Sequence, residues 1–477
     1  MEKNYLNRVV WIVLFVVFAL LGLYWLPDVQ VGEWSMRKID LLADLRNDST
    51  NSSLNNSTGE DVPGKDKKSL ANIPMLEGSY LTHDKDGNVI TVEDSIINSV
   101  AERGPKSDSV TSIVDMSGGE AWGMDGFYDA LSHSSSRPVR IAVLGDSYIE
   151  GDIMTAMLRE LLQQRFGGSG CGYLPITAIT AKNRLTVRQT FDGWTQHKAV
   201  DHQGYEDAYN NITGNYFICS RNAWVNMVGV DRYYSRSGSC TSSSLYYMGE
   251  TGEGVVSAYV NGEFKGQYSL DDYASVAKVT VAGDINTVKW VVDDGSGLVF
   301  LGASMDSETG VIVDNLGMRS SRGTHLSRIN DRILAGFNEL RPYDLVIIMY
   351  GLNVAAEKVK DLTNYCDQMT QAIEKIKRCM PSTSVLLVSC SDRESRGRDG
   401  FHTMKGVLGL IQAQKRVAIN SRLPFWNLYD AMGGEGSIID MVNNGEAARD
   451  YTHVTKKGGD HIARWLYDAL MLGYDNH

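Results

Sequence analysis

Between residues 138 and 429 the chain alternates short apolar runs with helical periodicity, a rhythm that few architectures accommodate. Arg140–Leu144 (RIAVL) ends at Gly145 as a buried parallel strand would, and Met154, Met157, Leu158, Leu161 and Leu162 then recur at helical spacing. The rhythm pauses and resumes at Val311–Asn315 (VIVDN). A helix opened by Thr324 follows, with Leu326, Ile329, Ile333 and Phe337 on one face. Further strands are expected at Asp344–Tyr350, Ser384–Ser389 and Pro424–Tyr429, each separated by a helical pattern. Five strands alternating with helices predict an α/β fold with a doubly wound parallel sheet.

The pause, residues 176–308, has a different texture. It holds alternating runs at Val255–Val260, Val276–Val281 and Thr287–Val292, an Asn261-Gly262 turn, and many Tyr and Trp residues. An inserted β-sandwich is expected there. It interrupts an α/β domain whose first part, with an N-terminal extension, covers 69–175 and whose second part covers 309–477.

Residues 1–45 read as a signal anchor with a juxtamembrane segment. Val9–Leu26 is free of charge, and as a helix it would span about 27 Å, close to the hydrocarbon thickness of a bilayer. Lys3 and Arg8 precede it and no small-residue cleavage site follows, so an uncleaved inner-membrane anchor is expected, with the bulk of the chain in the periplasm or another extracytoplasmic space. Residues 46–68 are rich in Asn, Ser and Thr and nearly devoid of apolar side chains, the composition of a flexible spacer. The stretch DKDGNVITVED at 84–94 lacks the ligand spacing of a calcium loop and reads as an Asp-Gly hairpin turn.

The net charge of −12, with no Lys/Arg cluster, excludes nucleic acid as a partner. None of the six cysteines forms a C-x-x-C pair, which argues against a zinc site; Cys219 and Cys240 are equally readable as a disulfide or as free thiols.

Gly145-Asp146-Ser147 lies where the first strand ends, the edge at which parallel sheets build active sites. Alone, the tripeptide reads equally as a turn and helix cap. A nucleophilic serine needs a base, and the base needs an orienting carboxylate. Of nine histidines, two have an Asp three residues earlier: His453 (Asp450-Tyr-Thr-His453) and His402 (Asp399-Gly-Phe-His402). His453 is favoured, because it leads into a C-terminal helix with Ile462, Trp465, Leu466, Ala469 and Leu470 on one face. Two other strand ends offer groups for a developing oxyanion: Gly317, where backbone can approach closely, and Asn353 of Gly351-Leu352-Asn353, through its amide.

Gly-Asp-Ser, Gly317, Gly351-x-Asn353 and Asp450-x-x-His453 occur in that order on successive strand ends, and in this the chain resembles the SGNH (GDSL-like) hydrolase superfamily. The resemblance covers about residues 138–175 and 310–472 and implies a flavodoxin-like sheet. It also implies a catalytic triad of Ser147, His453 and Asp450, and an oxyanion hole formed by Ser147, Gly317 and Asn353. Val354 departs from the family, many members of which have Asp at that place. The string GDSYIEGDIMTAMLRELLQQRFGGSGCGYLP and the β-insert are similar to a bacterial subgroup that includes peptidoglycan O-acetylesterases. That likeness implies a tethered, cofactor-independent and metal-free serine esterase that removes O-acetyl groups from an envelope or extracellular polysaccharide, with the insert resembling a carbohydrate-binding domain. The same triad would serve a polysaccharide O-acetyltransferase working with a membrane acyl donor protein, and a non-catalytic glycan-binding protein is the third reading.

Overall fold

The computed structural model describes residues 104–116 and 122–477, apart from 202, 250–253, 271–272, 296, 358–360 and 398–399, together with the strands at 30–31, 34–35, 79–83 and 89–93. Two units divide the chain, Met1–Lys68 and Ser69–His477. In the first, β1 (Gln30–Val31) pairs antiparallel with β2 (Trp34–Ser35). The apolar run at 9–26 and the spacer at 46–68 lie outside the described residues. Among those described, no helix is long and apolar enough to cross a membrane.

The second unit begins with β3 (Ser79–His83) and β4 (Val89–Glu93), an antiparallel pair; the Asp-Gly turn expected between them lies outside the described residues. Next come β5 (Val114–Asp115), helix α1 (Asp125–Ser132) and β6 (Pro138–Gly145). The helix expected close behind Gly-Asp-Ser starts later. Backbone bonds from Ile149 and Glu150 to Asp146 O close a turn, and α2 runs only from Thr155 to Phe166.

Nine antiparallel strands form the insert's sheet: β7 (Gly172–Leu174), β8 (Val187–Lys198), β9 (Asn215–Gly229), β10 (Cys240–Gly249), β11 (Gly254–Val260), β12 (Glu263–Leu270), β13 (Tyr273–Ile285), β14 (Thr287–Asp294) and β15 (Val299–Asp306). The expected sandwich is a single sheet folded over. The first part of β9 pairs with β15 at Phe217 and the last part pairs with β14 over Trp224–Val228, so one long strand joins both halves. Val288 and Trp290 of one half share a core with Leu245 and Tyr247 of the other. The Trp290 indole donates to Ser243 Oγ at 3.1 Å across that core.

After the insert the α/β rhythm returns with β16 (Gly310–Gly317). The helix expected from Thr324 is broken: a short 3₁₀ turn spans Thr324–Arg328, Ile329 is extended, and Asn330 caps α3 (Asp331–Leu340) by accepting from Arg332 N. The apolar spacing continues across the break because Leu326, Ile329, Ile333 and Phe337 enter the same core. Then follow β17 (Leu345–Met349), α4 (Thr363–Cys379), β18 (Ser384–Val388), the hairpin β19 (Glu394–Gly397) and β20 (Gly400–Thr403), α5 (Gly406–Asn420) and β21 (Pro424–Trp426). The last expected strand stops at Trp426, because the Asn427 side chain accepts from Asp430 N and starts α6 (Leu428–Met432); α7 (Ser437–Asn443) and α8 (Lys456–Asp475) close the chain.

The α/β sheet has the order β16-β6-β17-β18-β21-β5. Its first five strands are parallel, and β5 adds an antiparallel edge. Alternation along the strands builds both layers. Ile141, Val143, Leu345 and Ile347 pack towards α1, α2 and α8, whereas Ala142, Leu144, Val346 and Ile348 pack towards α3, α4 and α5. All six cysteines are unpaired. Cys219 lies against Gly295 and Cys240 against Gly170, so the disulfide alternative is not realised.

Candidate active site

The strand ends of this sheet bring the candidate site residues together. Ser147 follows the end of β6, and its hydroxyl oxygen lies 3.0 Å from Nε2 of His453. The other imidazole nitrogen, Nδ1, lies 2.7 Å from Asp450 Oδ2. An ionised carboxylate only accepts, so Nδ1 carries the proton and Nε2 presents its lone pair to the Ser147 hydroxyl. That is the tautomer a general base requires.

The three-residue spacing of Asp450 and His453 has a local cause. Asp450 Oδ1 accepts from the backbone N–H of Thr452 and of His453, each at 3.0 Å, which folds the segment back so that Oδ2 meets the ring. Tyr451 at the apex has φ +52°, a left-handed conformation unusual for a bulky residue. A backbone bond from Ala448 N to His453 O and the Thr455 cap on α8 fix the two ends of the loop. Partial burial would raise the Asp450 carboxyl, but the His453 and Thr452 N–H groups and the imidazole outweigh it and hold the group below its ordinary value. His453 and Asp450 remain about half exposed, at 49% and 51% of their side chains, so the dyad faces solvent.

Residues beyond Ser147, His453 and Asp450 tie their loops together. Asp146, 2% exposed, accepts from Tyr148 N at 3.1 Å, Gly351 N at 3.3 Å and Leu352 N at 3.2 Å. One carboxylate thus joins the Ser147 turn to the loop bearing Asn353. Burial pushes it up to about 6, against the pull of those N–H groups and of His453. The Tyr148 hydroxyl donates to Thr452 O at 3.0 Å and ties the same turn to the histidine loop. Sequence reading treated Asp146 only as part of the motif, and Tyr148 not at all. Their partners lie 205 and 304 residues away, beyond the reach of any local pattern.

Gly317 is tightly enclosed: a Cβ there would sit 2.4 Å from Glu150 N and 2.8 Å from Ile149 C, in the turn that follows Ser147. Its N–H donates to Asn315 Oδ1 at 3.3 Å, while the Asn315 amide is held by Ile149 O and Thr155 Oγ1. Asn353 donates through Nδ2 to Ser321 O at 3.0 Å, which leaves its second amide proton for another acceptor. Its neighbour Val354 donates its N–H to Gly351 O at 2.9 Å, within the turn that presents Asn353. His402 stands apart from the bonds of Ser147, His453 and Asp450, on the β19–β20 hairpin, bonded to Glu357 at 3.0 Å and Ser395 at 3.1 Å. Among the described residues no group of His, Cys, Asp and Glu is arranged to hold a metal ion.

A solved peptidoglycan O-acetylesterase structure superposes with a TM-score of 0.63 and 20% identity, over 76% of this chain and 99% of its own. The chain resembles that esterase in fold. Family-two carbohydrate esterases from Clostridium thermocellum and Cellvibrio japonicus align with a TM-score of 0.26 each, at 12% and 11% identity, over 55% and 61% of this chain and 96% and 98% of their own. Likeness at that level carries no weight. No protein-family model matches the chain, and no curated protein matches it.

Proposed function

We propose that this chain is a serine esterase that removes O-acetyl or similarly small acyl groups from an envelope polysaccharide. The observation that carries the reading is the hydrogen-bonded line from Ser147 Oγ through His453 to Asp450, at 3.0 and 2.7 Å, on the carboxyl edge of a parallel sheet. Ser147 attacks the ester carbonyl while His453 Nε2 takes its proton, and Asp450 stabilises the imidazolium. The negative charge on the tetrahedral oxygen is received by Ser147 N–H, Gly317 N–H and the free amide proton of Asn353; Gly317 exchanges its long bond to Asn315 for the oxyanion. His453 then returns the proton to the departing sugar hydroxyl, and water activated by the same imidazole releases the acyl group from Ser147.

A half-exposed dyad suits an ester on a polymer, which can lie across the strand ends without entering a closed tunnel. A solved structure similar in fold is a peptidoglycan O-acetylesterase, which supports a glycan ester as substrate class. The apolar run at 9–26 serves in this reading as an inner-membrane tether that keeps the catalytic unit outside the cytoplasm. Acetate release from 4-nitrophenyl acetate and from O-acetylated cell-envelope glycan, compared with Ser147→Ala, tests the chemistry; undiminished release by the variant overturns it. Retention in the membrane pellet, lost on deleting residues 1–45, tests the tether.

A further inference from the structure

A second, buried charge centre lies beside the candidate site. Asp152, with φ +67°, sits in it with Arg159 and Arg184. Arg159 takes Asp152 through both Nη atoms, each at 3.2 Å, and donates Nε and Nη2 to Val313 O at 2.9 and 2.7 Å. Thr155 and Thr186 occupy the remaining capacity of the carboxylate, each at 2.5 Å. Asp152 is therefore saturated. Arg184 is only 7% exposed, yet its Nε and Nη1 are buried without a hydrogen-bond partner. Leaving a desolvated guanidinium unmatched is costly, and a protein tolerates it where an acceptor arrives from outside.

Arg184 lines a cavity of about 390 Å³, of a size that takes a small ligand. Gln196 and Lys198 of β8 form one wall, and Gly317, Arg319 and Ser320 form another. The cavity therefore opens between the insert and the strand end that carries the candidate oxyanion glycine. Gly317 pairs in register with Gly145, two residues before Ser147, so the cavity is one strand away from the nucleophile. Two carboxylates also line it, but each has its own cation: Glu150 pairs with Arg319 at 3.0 Å and Asp201 with Lys198 at 3.4 Å. The charge left over is that of Arg184. Burial lowers its pKa from the ordinary value, while Asp152 opposes that shift.

We infer that this cavity is a carboxylate subsite, in which Arg184 binds the anionic group of an acidic sugar next to the residue whose ester is cleaved. The inference rests on the esterase reading and narrows its substrate to an acidic glycan. The carboxylate pairs with the Arg184 guanidinium from the cavity side. Two glycan sources carry this chemistry, a uronic acid and a lactyl ether on an amino sugar.

The test compares kcat/KM on four substrates: O-acetylated galacturonan oligosaccharide, 6-O-acetyl-N-acetylmuramic acid, and the carboxyl-reduced form of each. The expected result is a preference of tenfold or more for one acidic substrate over its reduced form, and that pair identifies the source. Arg184→Met is expected to abolish the preference and Arg184→Lys to retain part of it. Equal rates on acidic and reduced forms, or a preference that survives in Arg184→Met, overturn the subsite. Should Arg184→Met fail to fold, Arg184→Lys carries the same ratio test. If no substrate is hydrolysed and Ser147 takes no fluorophosphonate, the esterase reading fails by itself. Calorimetry on Ser147→Ala then decides the subsite: N-acetylmuramic acid or galacturonic acid must bind at least tenfold tighter than N-acetylglucosamine or galactose, and equal binding overturns it.

Discussion

Ser147 Oγ and His453 Nε2 lie 3.0 Å apart although 306 residues separate them in the chain. Two further links hold that distance: Tyr148 OH to Thr452 O, and the packing of α8 against the turn after Ser147. Ser147→Ala and His453→Ala are each expected to lower kcat on an acetyl ester by on the order of 10³ to 10⁶. Asp450→Asn, which spoils the tautomer, is expected to cost on the order of 10² to 10⁴. His402→Ala, whose ring is bonded to Glu357 and Ser395, should leave kcat within about threefold. A His402 variant as impaired as the His453 variant would move the base to the hairpin.

Asp146 links stability to pH. Its carboxyl is buried and raised from 3.8 to about 6, so between those values the folded state holds a proton that the unfolded state releases. Stability must therefore fall as pH rises through that window, by about 3 kcal/mol in total at ~1.36 kcal/mol per unit. In Asp146→Asn this slope between pH 4 and 6 should disappear, although the variant is less stable throughout because its NH₂ faces N–H donors. Melting curves of both proteins at pH 4, 5, 6 and 7 check this. An unchanged slope in the variant means that another group supplies the proton.

The strands of the parallel sheet were legible because both of their faces are covered, so that Ile141–Leu144 and Leu345–Met349 are continuous apolar runs. The edge strand Val114–Asp115 was not, because two residues carry no period. In the insert, Val255–Val260 and Thr287–Val292 read correctly as strands. By contrast, β10 begins CTSSS, and Ser243 and Ser244 are buried there because they bond to Trp290 and Thr280 from other strands. Asp450 and His453 were visible as a local pair because three residues bring carboxylate and ring together. The roles of Asp146, Tyr148 and Arg184 were not visible, since each depends on groups that only the folded chain supplies.

Gly459 tests how tightly the histidine helix must seat. A Cβ at this position in the first turn of α8 would lie 2.2 Å from Ile153 O, in the segment between Ser147 and α2. Backbone cannot yield as a side chain can, so Gly459→Ala must push α8 away from the nucleophile turn. A loss of about 1–3 kcal/mol in denaturant unfolding is expected. Because the shift separates His453 from Ser147, kcat should fall more than KM rises. Ala463, on the same helix and already in the core, supplies a control. Ala463→Gly should also destabilise, but with kcat unchanged in the folded fraction. Equal kinetic effects in both variants would mean that helix stability alone accounts for the loss.

Arg341 joins the insert to the α/β sheet. It bonds Asp306, at the end of β15, at 2.6 and 2.9 Å, and Asp314, on β16, at 2.5 and 2.6 Å; Tyr246 and Tyr343 complete the shell. All three charges are buried, and desolvation alone would raise Asp306, but Arg341 reverses this and holds it below its ordinary value. In the natural protein the pairing thus adds stability that is present above the unfolded carboxyl pKa and is lost as pH falls through the lower folded value. Arg341→Met removes the only cation bonded to either carboxylate among the described residues and is expected to cost about 3–5 kcal/mol at pH 7. It should also reverse the sign. With Arg341 gone, desolvation dominates at Asp306 and its carboxyl rises above the unfolded value, so the variant becomes more stable as pH drops from 7 to 5. Adding Asp306→Asn and Asp314→Asn to Arg341→Met removes the stranded charges and should recover more than half of the loss, the non-additivity expected of a buried triad. Urea unfolding of the three proteins at pH 5 and 7 decides this. A single variant whose stability still falls on acidification would show that Arg341 is not what keeps Asp306 ionised.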